Sequence, residues 1–135
     1  MKITQDMVNE KIKTYEELSK KILAYIAIFL KMKDNDITGV IKRLYDFQSE
    51  ENEFMKTLSG KDKYVFLNEM INYSNDLIEL FDDSLKQKDG NSNIIEECWK
   101  KIRKDIKIIN KLRRKIENKN DDDDDEFFET ATWFL

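Results

Sequence analysis

From residue 5 to about residue 33, Val8, Ile12, Tyr15, Leu18, Ile22, Ile26 and Phe29 recur at steps of three and four, the spacing that lines one face of an α-helix. In the second half of this segment Leu23, Ala24, Tyr25, Ala27, Ile28 and Leu30 are added, so the helix is apolar nearly all round. A helix of that kind needs cover on more than one side, either as the central member of a bundle or against a second copy of the chain. Residues 34–36 break the pattern with capping types, after which Ile37, Val40, Leu44, Phe47, Phe54 and Leu58 define a second helix. Glu51 occupies a core-register position in its middle, and Ser59 with Gly60 ends it. A third helix is predicted from about residue 62 to 88, with Tyr64, Leu67, Ile71, Ser74, Ile78, Phe81 and Leu85 in unbroken register, widened by Met70 and Leu77. Residues 89–93 read as a loop, and Asn93 with Glu96 resembles a capping box. The fourth helix then carries the stripe Ile95, Cys98, Trp99, Ile102, Ile106, Ile109, Leu112 and Ile116.

Four such helices, each about 35–43 Å long at 1.5 Å per residue, predict an all-α, up-down-up-down four-helix bundle. The connection at residues 59–60 is the tightest, which makes helices two and three antiparallel neighbours. With no proline and three glycines in 135 residues, little interrupts the helices. The predicted organisation is one bundle domain, residues 1–120, followed by an acidic C-terminal tail, residues 121–135. The run from Ile22 to Leu30 is far short of the ~20 apolar residues that span a bilayer. The opening segment is polar and charged, unlike a secretory signal, so the expected mature chain is the whole chain.

One cysteine, Cys98, rules out an internal disulfide framework and points to a reducing, cytoplasmic setting. The complete absence of histidine removes Ser-His and Cys-His pairs, HExxH zinc sites and ExxH iron sites. No glycine-rich phosphate loop is present. The adjacent carboxylates Glu50/Glu51, Asp82/Asp83 and Glu96/Glu97 diverge by about 100° on a helix and read as solvated surface. Asp34, Asp36, Thr38 and Gly39 reproduce the opening of an EF-hand loop, but Lys42 and Tyr45 stand at its ninth and twelfth positions, and helix capping accounts for the acids. The expectation is a protein that is not an enzyme and has neither a metal nor a cofactor.

The net charge of −4 hides an uneven distribution. Residues 94–120 sum to +6 and residues 121–135 to −7. The basic residues Lys100, Lys101, Arg103, Lys104, Lys107, Lys111 and Arg114 of helix four are candidates for polyanion binding, since clustered cations release counterions from a phosphate backbone. The acidic tail is equally suited to screening them or to competing with an acidic partner.

The tail itself joins Asp121, Asp122, Asp123, Asp124, Asp125 and Glu126 to Phe127, Phe128, Trp133, Phe134 and Leu135. A carboxylate run resists collapse, whereas four aromatics seek a binding surface, and the combination reads as a linear recognition motif. Glu126, Phe127, Phe128 and Glu129 after five aspartates resemble the FFAT motif, with Thr130 and Thr132 departing from its usual residues. That resemblance implies a VAP-type receptor, a charge-steered approach and two phenylalanine anchors. Thr132, Trp133, Phe134 and Leu135 are also similar to the acidic C-terminal tips of bacterial and phage replication proteins, which implies a clamp or polymerase partner. The alternative is that residues 127–135 fold back and cap the bundle. Together these readings predict an adaptor or regulatory protein that binds a protein partner through its tail. A viral or nucleic-acid-associated regulator is the alternative, and self-association through helix one is a separate expectation.

Overall fold

The computed structural model describes residues 2–32, 35–86 and 92–118, with side chains omitted at residues 35, 36 and 92–94. The fold is all-α, with helices α1 (Gln5–Lys31), α2 (Asn35–Lys56), α3 (Gly60–Lys86) and α4 (Ser92–Glu117). There is no strand among the described residues, and the packing is that of a helical bundle. Contacts divide the chain into two compact units, Met1–Leu67 and Asn68–Leu135, with the boundary inside α3. The acidic-aromatic residues 121–135 lie outside the described residues.

In the first unit, Thr4 begins α1 by accepting a hydrogen bond from the Met7 amide at 3.3 Å, which satisfies one of the unpaired donors of the first turn. Asp6 in that turn and Lys31 in the last both complement the helix dipole. Val8, Tyr15, Ile22, Ile26 and Phe29 are buried, following the period of three and four that the sequence sets out. Helix α1 packs on α2, whose Ile41, Leu44 and Met55 are buried together with Gln48 and Glu51. Helix α2 ends at Lys56 and tightens through bonds from the Thr57 and Leu58 amides to the carbonyls of Phe54 and Met55. Gly60 takes a left-handed φ of 58° and opens α3, two residues ahead of the expected start. Phe54 then meets Phe66 edge to face at 5.2 Å, which places the end of α2 beside the start of α3.

In the second unit, burial on α3 spreads round the helix: Met70, Ile71, Tyr73, Ser74, Leu77, Ile78, Leu80 and Phe81 are all buried. Helix α4 contributes Cys98, Ile102, Ile109, Leu112 and Ile116. The second half of α1 does not take the central place within the chain, which leaves a second copy as its expected cover. Leu23, Ile28 and Leu30 of α1 are 45–51 % exposed, and Ala24 and Ala27 are exposed as well. The widely buried helix is α3, because its residues between the stripe positions, notably Tyr73 and Leu80, are apolar and covered too.

Candidate functional site

The cationic side chains of α4 come first, because their arrangement is the one clearly set by helical geometry. Lys100, Lys104, Lys107, Lys111 and Arg114 follow one another at steps of four and three, which puts them along one face for roughly 21 Å. Lys100, Lys101, Arg103, Lys104, Lys107 and Arg114 are exposed and Lys111 is half-buried. The opposite face holds the buried Ile102, Ile109 and Leu112, so the helix is divided into an apolar and a cationic side. Lys101 Nζ lies 3.9 Å from Glu79 Oε2, and Arg113 Nε donates to Glu117 Oε1 at 2.9 Å along the same helix. The proposed anchors Phe127, Phe128, Trp133, Phe134 and Leu135, with the steering acids Asp121, Asp122, Asp123, Asp124, Asp125 and Glu126, fall outside the described residues.

Two acidic clusters in the second unit were not legible as sites. In the first, Cys98 Sγ donates to Asp83 Oδ2 at 3.2 Å, and the ligand atoms of Glu79, Asp83 and Cys98 all lie within 4.8 Å of one another. A thiolate with two carboxylates is a conceivable cation-holding set. In the metal-free protein, burial, the Asp83 hydrogen bond and the charges of Asp83 and Glu79 push the Cys98 thiol up to about 11, against which Lys101 acts only in part. In that state the thiol is a proton donor near neutrality, and its bond to Asp83 ties α4 to α3.

The second cluster joins Asp105 of α4 to Asp76 and Glu69 of α3. Burial first, then hydrogen bonding to Asp76 and the charges of Asp76 and Glu69, raises Asp105 to about 8, with Lys104 opposing. Asp105 Oδ2 is shielded from solvent and accepts no hydrogen bond, so a proton on Asp105 lets it donate toward Asp76. Burial also raises Glu69. The sequence contained a signal for Asp105: Cys98, Ile102, Asp105, Ile109, Leu112 and Ile116 step by four and three without a slip, so Asp105 stands in the core register.

The adjacent acids need a partial correction. Glu96 and Glu97 are exposed as expected, but Glu51 is 2 % exposed and Asp82 and Asp83 are half-buried. Each pair diverges on its helix, so one member of Glu50/Glu51 turns into the core while the other faces solvent. Glu51 belongs to a polar group inside the first unit: burial raises the Tyr15 phenol, Ser19 and Gln48 pull it back, and the charge of Glu51 adds to the rise.

The first unit also holds a half-open cavity of about 450 Å³ between α1, the end of α2 and the start of α3. Ile12, Leu23, Met55 and Leu67 supply apolar walls, and Lys20, Lys56 and Lys63 stand among them, one from each helix. The cavity has no signature in any one helix, because its lining comes together only once three helices meet.

Among the described residues, no helix is long and apolar enough to cross a membrane. Neither a protein-family model, nor a curated protein, nor a solved structure matches the chain.

Proposed function

We propose that this chain is a non-enzymatic adaptor or regulatory protein that uses its helical bundle to carry a C-terminal acidic-aromatic motif to a protein partner. The observation that supports this reading is the collection of Phe127, Phe128, Trp133 and Phe134 among seven carboxylates, soon after a helix whose Ile102, Ile109, Leu112 and Ile116 are already buried. Aromatic anchors inside a charged rim are the usual composition of binding hot spots. Carboxylates at residues 121–126 steer the approach, and the aromatics supply the residence time. Affinity purification with wild type against a Phe127→Ala/Phe128→Ala/Trp133→Ala variant tests it. A partner retained by wild type and lost from the variant supports the reading, and equal recovery from both defeats it.

The cationic stripe of α4 favours a second reading, that of a regulator bound to nucleic acid or another polyanion. Five cations along one face, four of them exposed, are the electrostatic footprint of a phosphate-tracking helix, and such binding weakens steeply with salt. In this reading the −7 tail competes with the polyanion for the +6 segment. Heparin or single-stranded DNA binding at low salt, lost on neutralising Lys100, Lys104, Lys107 and Lys111 and strengthened on removing residues 121–135, distinguishes it from the first.

A further inference from the structure

We infer that the cavity of the first unit is a binding site for a linear amphipathic carboxylate, a free fatty acid in chemical class. The inference is independent of the tail and of the α4 stripe. Its volume of about 450 Å³ lies within the roughly 300–1,000 Å³ typical of small-ligand pockets. Its α1 wall runs from Ile12 to Leu23 at the steps of three and four that make one helix face, for roughly 16 Å, the length of an extended chain of about twelve carbons.

The chemistry of the walls selects the ligand. Ile12 and Leu23 on the α1 wall are partly exposed above the buried Met55 and Leu67, so an alkyl body finds apolar surface along that wall. Ser19 and Asn52 are the uncharged polar residues of the wall besides Tyr15, too few for a ligand with polar groups along its whole length. The head is chosen by charge. Lys20, Lys56 and Lys63 line the cavity from three different helices, against Glu16 as the one acid of the lining. Lys56 already lies 3.0 Å from Glu53, whereas Lys20 and Lys63 have no carboxylate within 4 Å among the described residues. An uncommitted ammonium group beside an apolar trough suits the carboxylate of an alkyl chain. The lysine stems extend the apolar wall while the charged ends stay in water.

The test titrates the full-length protein with dodecanoate below its micelle concentration, followed by calorimetry and by amide shifts in NMR spectra. Saturable one-to-one binding, with shifts centred on residues 12–23, 52–56 and 63–67, is expected. The Lys20→Glu/Lys63→Glu variant should bind at least tenfold more weakly while keeping its helical circular dichroism. Dodecyl maltoside, with the same chain and a neutral head, should lose affinity to a similar degree. Leu23→Asp, at a half-exposed position, gives a second variant that tests the trough rather than the head. Absence of saturation, shifts centred elsewhere, or equal affinity for the neutral amphiphile overturns the inference. So does binding confined to phosphatidylglycerol vesicles, or preference for an acidic-aromatic peptide over dodecanoate.

Discussion

Cys98 Sγ donates to Asp83 Oδ2 across 3.2 Å, joining α4 to α3 through a thiol that burial and two neighbouring carboxylates keep protonated. A thiol moved from 9.0 to about 11 holds roughly a hundredth of the thiolate of an unperturbed one at pH 8, and the thiolate is the reactive species. Alkylation of native protein by iodoacetamide should therefore be about 100-fold slower than in denaturant. Asp83→Asn removes both the acceptor charge and its effect on the thiol, so it should speed the native reaction several-fold. A native rate equal to the denatured one would show that the thiol is neither shielded nor tied to Asp83.

The Asp105–Asp76 relationship sets a pH dependence with a definite sign. Asp105 holds its proton up to about 8 in the folded chain but only to its ordinary value of 3.8 when unfolded. Between those values the native state binds more protons than the unfolded one, so stability falls as pH rises. The contribution is complete below about 4 and lost as pH passes about 8, and Glu69, also raised, acts in the same direction. Asp105→Asn removes the ionisation and lets an amide donate toward Asp76. Thermal melts should show the variant more stable than wild type at pH 8, with little difference at pH 4. A parallel pH profile for wild type and variant would refute it.

How far the sequence carries is visible in particular residues. Ile22, Ile26 and Phe29 were legible because steps of three and four already define a face, and all three are buried. Ile28 and Leu30 have the same hydropathy, yet both are about half exposed within the chain, since hydropathy cannot say whether the neighbour on that side is another helix or a second copy. Tyr73 and Leu80 were missed for the converse reason: a single stripe was drawn on α3 where several faces are covered. Glu51 was recognised at a core position and is indeed buried, but its grouping with Tyr15 joins two helices and has no signature in either alone. Asp105 was passed over because Ile106 beside it completes an equally acceptable stripe. The placing of Lys20, Lys56 and Lys63 around one cavity is tertiary in origin, whereas the α4 cationic stripe could be read directly.

Gly60 has a left-handed φ of 58°, and a Cβ built there meets nothing within 4 Å. Space is therefore not the constraint; backbone conformation is. Gly60→Ala should cost about 1 kcal/mol through strain at the α2–α3 connection, visible as a lower denaturant midpoint with an unchanged slope. Gain of stability on this substitution would mean that the residue does not hold its left-handed conformation in solution.

The exposed apolar side of α1 leads to the last prediction. Ile28 and Leu30 stand about half exposed beside Ala24 and Ala27, and Met32 continues the patch at 47 %. Exposed apolar side chains in this number on one helix favour association, and a second copy presenting the same helix is the simplest self-complementary cover. Light scattering should give a mass above 16.2 kDa at tens of micromolar, declining on dilution. Ile28→Lys/Leu30→Lys should restore the mass of one chain with little loss of stability, because neither side chain is buried and surface changes seldom exceed about 0.5 kcal/mol. In contrast, Ile102→Ala, at a fully buried position of α4, should cost about 2–5 kcal/mol and leave the mass per assembled particle unchanged while the chain stays folded. A wild-type chain that remains monomeric across this concentration range would remove the interface, whereas a Lys variant that still associates would move it off α1.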